Sequence, residues 1–149
     1  MPKIRKILVP IDFSDDSRSA LKLAVQFAKS FEAKIHLLHC YQDFVGDLSA
    51  YDLAAPEDFY HELHRAAGSK LDALRNEFKS EGVPMSTEVC GSLPSEAICE
   101  AATKNHADLI IMGTRGVSGL KHVILGSVAE RTVRSAPCPV LTVKAEHTD

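Results

Sequence analysis

The sequence lacks the charge, the long hydrophobic runs and the cysteine spacing that mark several classes of protein. Lys and Arg total 17 against 20 Asp and Glu, a net charge of −3. Because there is no basic excess, no general electrostatic attraction to nucleic acid is expected. No apolar run approaches the roughly 20 residues that cross a bilayer. The sequence therefore predicts a soluble globular protein with neither a nucleic-acid partner nor a membrane partner.

The four cysteines follow no C-x-x-C or other metal-ligand spacing, so no metal site is predicted. They are best interpreted as small apolar side chains, and a redox-sensing role for Cys40 is the alternative. The basic start of the chain is followed only by the short apolar run Ile7-Leu8-Val9, which is too short for the core of a signal peptide. We therefore expect a cytoplasmic protein.

Short β-type runs alternate with long helical patterns along the chain, and its 149 residues suit one domain. Strands are predicted over 7–10, 35–40, 86–89, 109–112 and 140–143. The first helix is capped by Ser14 or Ser17, the second runs from Pro56 to about Glu81, the third opens at Pro94 and the fourth covers 128–133. Residues 42–55 are predicted to form a loop. The nucleotide-binding-type domain would span residues 1–145, with a flexible tail over 146–149.

This order of elements predicts an α/β fold with a single doubly wound, mainly parallel five-stranded sheet and helices on both faces, as in Rossmann-like proteins. In such sheets, ligands bind beyond the carboxyl ends of the strands, where the strand order reverses. Two loops should meet there. One is Pro10-Ile11-Asp12-Phe13-Ser14 after the first strand, and the other follows the fourth strand.

The loop after the fourth strand carries the most informative motif, Gly113-x2-Gly116, nine residues, then Gly126-Ser127. It lies between an apolar strand and a helix, where backbone N–H groups can hold an anion. Ser127 is predicted to cap the helix or to turn its hydroxyl toward a phosphate. Arg115 is expected either to contact a phosphate or to lie in solvent. Taken singly, each glycine would suit an ordinary turn; the spaced set favours a nucleotide phosphate site.

Two better-known glycine patterns are absent. A dinucleotide fingerprint needs Gly-x-Gly after the first strand, where this chain has Pro10-Ile11-Asp12. A P-loop needs Lys beside Ser or Thr at the start of the helix, and here Val128 follows Gly126-Ser127.

The sequence resembles the universal stress protein family over essentially its full length. Four segments in the right order carry the resemblance: residues 7–14, residues 36–40, the glycine motif, and residues 136–143. The resemblance implies the adenine nucleotide alpha hydrolase-like version of the fold. Because the glycine motif is intact, it also implies the ATP-binding subgroup, with Mg²⁺ accompanying the nucleotide.

The resemblance implies a role for each candidate site residue. Asp12, with the backbone of Pro10 and Ile11, would contact the adenosine, although Asp12 could instead cap the first helix. Cys40 would lie against the adenine. The remaining contacts would come from Met112 and Gly113 around the ribose and from Gly116, Gly126, Ser127 and Val128 around the phosphates. Arg115 is a further candidate from its place in the loop, not from the resemblance.

The predicted function is that of an ATP-binding regulatory protein of the stress response, in which nucleotide acts as a conformational switch with little or no turnover. A slow ATPase or phosphoryl-transfer enzyme and a nucleotide-free interaction protein are the alternatives, and no catalytic residue is assigned. AMP and cyclic nucleotides stay open because no residue counts the phosphates. The short apolar strand Val140–Val143 is an expected sheet edge, and the resemblance implies a homodimer through it.

Overall fold

The computed structural model describes residues 3–41, 57–115 and 125–145. Within them, strands and helices alternate as predicted. They are β1 (Lys6–Pro10), α1 (Asp15–Phe31), β2 (Lys34–Cys40), α2 (Glu57–Glu77), a 3₁₀ turn (Lys79–Glu81), β3 (Met85–Cys90), α3 (Pro94–Lys104), β4 (Leu109–Gly113), α4 (Ser127–Ser135) and β5 (Val140–Val143). The predictions for Pro56, for the 42–55 loop, for Gly116 and for the 146–149 tail lie outside the described residues.

All five strands form one sheet in the order β3-β2-β1-β4-β5, and every neighbouring pair is parallel. Because β1 pairs with β2 on one side and with β4 on the other, the strand order reverses between β1 and β4. The predicted doubly wound sheet is therefore confirmed. β5 lies at an edge of the sheet, as the sequence indicates.

Alternation along the strands divides the core into two clusters. Ile7 and Val9 of β1 point to the face where α1 and α2 contribute Leu21 and Leu71. Leu8 points to the opposite face, which α3 and α4 cover with apolar side chains that include Ile98. The central strands β1 and β4 are consequently covered on both faces, and this explains their nearly unbroken apolar sequences.

Two predicted helix boundaries are corrected. The second helix ends at Glu77 rather than near Glu81, because Phe78 N–H donates to the Arg75 carbonyl at 3.1 Å and tightens the chain into 3₁₀ geometry. Gly82 then stops the turn at φ 72°, a left-handed conformation that glycine adopts without a Cβ penalty. Gly126, and not Ser127, is the N-cap of α4, so Ser127 is the first helical residue.

Candidate functional site

The loop after β1 is organised by local hydrogen bonds from the side chains of Asp12 and Ser14. Asp12 Oδ1 accepts from the Ser14 amide at 2.9 Å and also from the Ser14 hydroxyl. Ser14 is the N-cap of α1, because its Oγ accepts from the Ser17 amide at 3.2 Å. Asp12 therefore forms a turn in front of the cap rather than being the cap itself. Its role as an adenosine contact stays a prediction.

Phe13 lies between Asp12 and Ser14 with φ 64°, an uncommon conformation for a bulky residue. Its ring packs against His39 with 4.7 Å between centroids, and Lys70 of α2 places Nζ 4.3 Å from the Phe13 centroid. His39 Nδ1 donates to the Ile11 carbonyl at 2.7 Å. Burial lowers the pKa of His39 below its usual value of 6.5, against the opposing hydrogen bond to Ile11. These contacts hold the loop in its strained conformation.

Asp16, in the first turn of α1, joins the two loops that the sequence predicts to meet. Its Oδ2 accepts from Thr114 Oγ1 at 2.8 Å and from the Arg115 amide at 3.1 Å, while Oδ1 accepts from the Ala145 amide at 3.0 Å. The Arg115 guanidinium Nε lies 3.5 Å from Oδ2. Burial raises the pKa of Asp16, but the hydrogen bonds from Ala145, Thr114 and Arg115 outweigh that effect and hold the pKa below 3.8.

Of the two alternatives for Arg115, the structure contradicts the one that placed its side chain in solvent, and a contact with a phosphate stays a prediction. Its side chain is only 11% exposed and is paired with a carboxylate. The ion pair offsets the negative charge of Asp16 at the edge of the sheet where a phosphate site was predicted.

Gly113 is required by the packing of α1 against the end of β4. A Cβ at this position would lie 2.8 Å from Asp16 Cβ, 2.9 Å from the Asp16 backbone carbon and 3.0 Å from the Ser17 nitrogen. Backbone atoms cannot give way cheaply, so no larger residue fits without a shift. The structure thus supplies a packing reason for this glycine in addition to any contact with a ligand.

The start of α4 is tied to the same edge of the sheet. Gly126 N–H donates to the Thr114 carbonyl at 2.5 Å, and no side chain of the described residues makes a cap hydrogen bond at this helix end. The first-turn amides of α4, including those of Ser127 and Val128, are therefore of the kind that an external anion can satisfy. Ser127 is exposed, so its hydroxyl is accessible from solvent.

Two other predicted contacts lie near this edge in contrasting environments. Met112 is 4% exposed and packs with Leu8 and Ala129, so its side chain belongs to the core. Cys40, the last residue of β2, packs on the outside of the same cluster, and its sulfur lies 3.0 Å from the sulfur of Cys90. Gly116 lies outside the described residues.

Two clefts, of about 610 and 320 Å³, lie at the opposite, amino-terminal edge of the sheet. Lys34 and Pro84 line both of them. Ligands of doubly wound sheets bind at the carboxyl ends of the strands, so these clefts are not the candidate site despite their volumes. Among the described residues, no cluster of three or more His, Cys, Asp or Glu side chains is placed to bind a metal ion.

Sequence analysis missed Asp16 and Cys90. Asp16 carried a readable signal, because it lies four residues before Ala20 and in phase with the buried stripe of α1. A carboxylate on an apolar face needs partners, and here the partners are donors from other parts of the chain. Cys90 carried no such signal, since its contact with Cys40 depends on the register of β2 against β3.

The strand order and the loops that meet at its carboxyl edge define a Rossmann-like α/β protein. The model of the universal stress protein family matches residues 3–144. Universal stress protein MJ0531 of Methanocaldococcus jannaschii is 38% identical over 144 residues, which cover 94% of this chain and 82% of that protein. The chain therefore belongs to the universal stress protein family.

Solved structures agree with this assignment. The structure of MJ0577, a universal stress protein of the same organism, is 28% identical with a TM-score of 0.84 and covers 99% of this chain and 100% of its own. A universal stress protein in complex with cAMP (24% identity, TM-score 0.68) covers 97% of this chain and 100% of its own. The universal stress protein from Archaeoglobus fulgidus in complex with dAMP (20% identity, TM-score 0.67) covers 96% of this chain and 100% of its own. Members of the fold thus bind adenine nucleotides.

No helix in the described part of this chain is long and apolar enough to span a membrane.

Proposed function

We propose that this chain binds ATP, accompanied by Mg²⁺, at the carboxyl edge between β1 and β4, and that the bound nucleotide acts as a conformational switch with little or no turnover. Residues 1–145 would form the nucleotide-binding domain, acting in the stress response in the cytoplasm. The observation that carries the proposal is the start of α4, where first-turn amides that no described side chain caps lie beside the end of β4.

The phosphate side of the proposed site is built from main chain. Gly126 N–H is bonded to Thr114, which fixes the start of α4, and the amides of Ser127 and Val128 follow in the first helical turn. Such amides and the positive end of the helix dipole favour a polyanion. Gly113 and Gly116 would keep side chains away from the ribose and the phosphates. Met112, being buried, would contribute only backbone.

The adenosine side would be formed by the loop after β1 and the end of β2. Pro10, Ile11 and Asp12 belong to this loop, whose conformation is held by Ser14 and by the packing of Phe13. Cys40 would lie against the base. Mg²⁺ bound with nucleotides takes its ligands from phosphate oxygens, water and one or two carboxylates. Asp12 is the carboxylate that this loop would supply.

The proposal is tested by placing a charge at the start of α4. Ser127→Asp keeps an exposed polar residue at the first helical position, where a negative charge stabilises a helix by about 0.3–1 kcal/mol. A unit charge about 5 Å from a phosphate interacts by about 3 kcal/mol at an effective dielectric constant near 20. Solvent screening at this open edge reduces that value, so we expect at least a roughly tenfold weaker affinity for ATP, measured by titration calorimetry on nucleotide-stripped protein.

Ser127→Asn is the matched control, because it has the same shape without the charge. We expect the Ser127→Asn variant to bind ATP with an affinity within about threefold of the wild type. The Ser127→Asp variant should unfold at the same temperature as the wild type or slightly above it. Titration with AMP, cAMP and dAMP in parallel ranks the nucleotides. If the Asp variant binds ATP as tightly as the Asn variant, the phosphates do not lie at α4 and the proposed site is wrong.

A measurement of ATP turnover distinguishes the conformational switch from the slow ATPase or phosphoryl-transfer enzyme. Phosphoryl transfer needs positioned metal ligands, a group that orients the nucleophile and cations for the developing charge. The Arg115 guanidinium is already paired with Asp16. We therefore expect ATP to bind without robust multiple turnover. Rapid turnover that Ser127→Ala abolishes would favour the enzyme instead, and no binding of any adenine nucleotide would favour a nucleotide-free interaction protein.

We also propose a homodimer formed through β5, the edge strand next to β4. The Pro139 carbonyl accepts from the Ile110 amide of β4, and the Val143 carbonyl accepts from the Thr114 amide just after β4. The alternating backbone groups of Val140 and Thr142 therefore face the outer edge. An edge strand with outward N–H and C=O groups can pair with a second copy.

A further inference from the structure

Cys40 and Cys90 form a close thiol pair at the carboxyl end of the sheet. They are the last pair in the register of β2 against β3, and their sulfurs lie 3.0 Å apart as thiols. Neighbouring strands lie about 4.8 Å apart, which is within the Cα separation of about 4.4–6.8 Å that disulfides span. A bond of about 2.05 Å therefore needs the two sulfurs to approach by only about 1 Å.

The surroundings of Cys90 favour its reaction. The hydrogen bond with Cys40 lowers the pKa of the Cys90 thiol to about 7, with help from the Ser92 amide and against burial and the carboxylates of Glu88 and Glu100. Thiolate is the nucleophilic form of cysteine. Burial instead raises the pKa of both Cys99 and Cys138. The chain thus contains one reactive thiol pair and two thiols that can act as internal controls.

The pair is also connected to the edge of the sheet where the nucleotide is proposed to bind. Both cysteines pack against the cluster that contains Met112 and Ala129, at the end of β4 and the start of α4. Tyr41, the next residue after Cys40, donates its amide to the Cys90 carbonyl at 3.1 Å. A bond between the sulfurs would draw Cys40 Sγ toward β3 and away from β1.

We propose that Cys40 and Cys90 are a redox-active dithiol that a peroxide oxidises to a disulfide, and that this disulfide weakens nucleotide binding. The second part rests on the proposed function, in which Cys40 contacts the adenine. The first part depends only on the geometry of the two strands.

The oxidation balances as two thiols and one hydrogen peroxide giving one disulfide and two waters. The Cys90 thiolate attacks one peroxide oxygen, the O–O bond breaks, and the leaving hydroxide takes a proton to become water. The Cys40 sulfur then attacks the Cys90 sulfenic acid, and the displaced hydroxide leaves with the Cys40 proton as the second water. Two electrons pass from the sulfurs to the peroxide. A dithiol reductant of the thioredoxin type reverses the reaction by thiol–disulfide exchange.

The first experiment treats the reduced full chain with one equivalent of hydrogen peroxide and measures intact mass and peptide maps. We expect the monomer to lose two hydrogens, with a Cys40–Cys90 linkage that dithiothreitol reverses. Cys99→Ser should behave like the wild type, whereas Cys90→Ser should not form the linkage. Added oxygen that stays on Cys90, or linkages only between chains, would overturn the dithiol.

The second experiment titrates ATP into the reduced and the oxidised protein. Losing the contact between Cys40 and the base should weaken binding by about fivefold on oxidation, and Cys90→Ser should bind equally before and after peroxide. Equal affinities of the two wild-type forms would refute the coupling. If the protein binds ATP but forms no Cys40–Cys90 disulfide, the dithiol proposal is wrong and the proposed function stands. If the disulfide forms but neither the reduced nor the oxidised protein binds ATP, the proposed function is wrong and the dithiol stands.

Discussion

Asp16→Asn is predicted to destabilise the protein more than any other single charge removal in the first turn of α1. The best orientation of the Asn amide keeps its oxygen on Thr114 and Arg115 and turns its NH₂ toward the Ala145 amide. That leaves a buried donor without an acceptor, at a cost of about 1–3 kcal/mol. The Arg115 guanidinium also loses its charged partner, worth about 1–2 kcal/mol more. We therefore expect a loss of about 3 kcal/mol in the free energy of unfolding.

The measurement is urea unfolding at pH 7 with thermal melts in parallel, where about 3 kcal/mol corresponds to roughly 6–12 °C for a chain of this size. Asp15→Asn is the matched control, because Asp15 lies in the same turn but is exposed. Its loss should be only the helix-dipole contribution of about 0.3–1 kcal/mol. If the two variants unfold within 1 kcal/mol of each other, Asp16 does not hold the two loops together.

The pH dependence gives an independent check. Because the folded protein holds the pKa of Asp16 below its ordinary 3.8, the unfolded chain takes up the proton first as the pH falls. The contribution of Asp16 is therefore fully present above pH 3.8 and is lost as the pH falls through the lower, folded-state pKa. The stability gap between wild type and Asp16→Asn should narrow in that acidic range. A gap that is constant with pH would contradict the assignment.

Two further predictions follow from the packing and from the edge strand. Gly113→Ala should lower the free energy of unfolding in urea by about 1–3 kcal/mol, because its Cβ would meet the backbone of α1. Gly68→Ala is the control: its Cβ would meet nothing closer than Val89 Cγ2 at 4.0 Å, so it should raise the free energy of unfolding by up to about 1 kcal/mol. For the dimer, sedimentation at micromolar concentration should give a dimer for the wild type and a monomer for Thr142→Pro. The substitution removes only an outward-facing N–H and keeps the hydrogen bonds between β5 and β4. A monomeric wild type or a dimeric variant would contradict pairing through β5.

The order of the elements was readable from sequence because each depends on local pattern. Pro10 ends β1 as predicted, and the apolar run of β4 reflects burial on both faces. Gly113 was also recognised, but for its access to a phosphate; the close approach of α1 that independently requires it depends on tertiary packing. The cap of α4 was misassigned by one residue because Gly126 and Ser127 both suit an N-cap.

Long-range contacts were the part that sequence could not supply. Cys40 and Cys90 are separated by 50 residues, and only the register of β2 against β3 brings their sulfurs together. A shift of that register by one residue would turn Cys90 to the opposite face. Likewise, nothing local distinguishes which donors reach Asp16, since they come from the loop after β4 and from Ala145 beyond β5.

The two sides of the proposed nucleotide site are held by interactions of very different strength, and this bears on where regulation can act. On the phosphate side, Asp16 makes three hydrogen bonds and an ion pair, so any displacement costs several kcal/mol. On the adenine side, Cys40 and Cys90 are the last pair in the register of β2 against β3, and their thiols are in contact. Closing the disulfide between them moves a sulfur by only about 1 Å. A ligand that spans both sides would therefore be anchored by its phosphates and modulated at its base, which is the arrangement that the thiol pair requires to influence binding without unfolding the edge of the sheet.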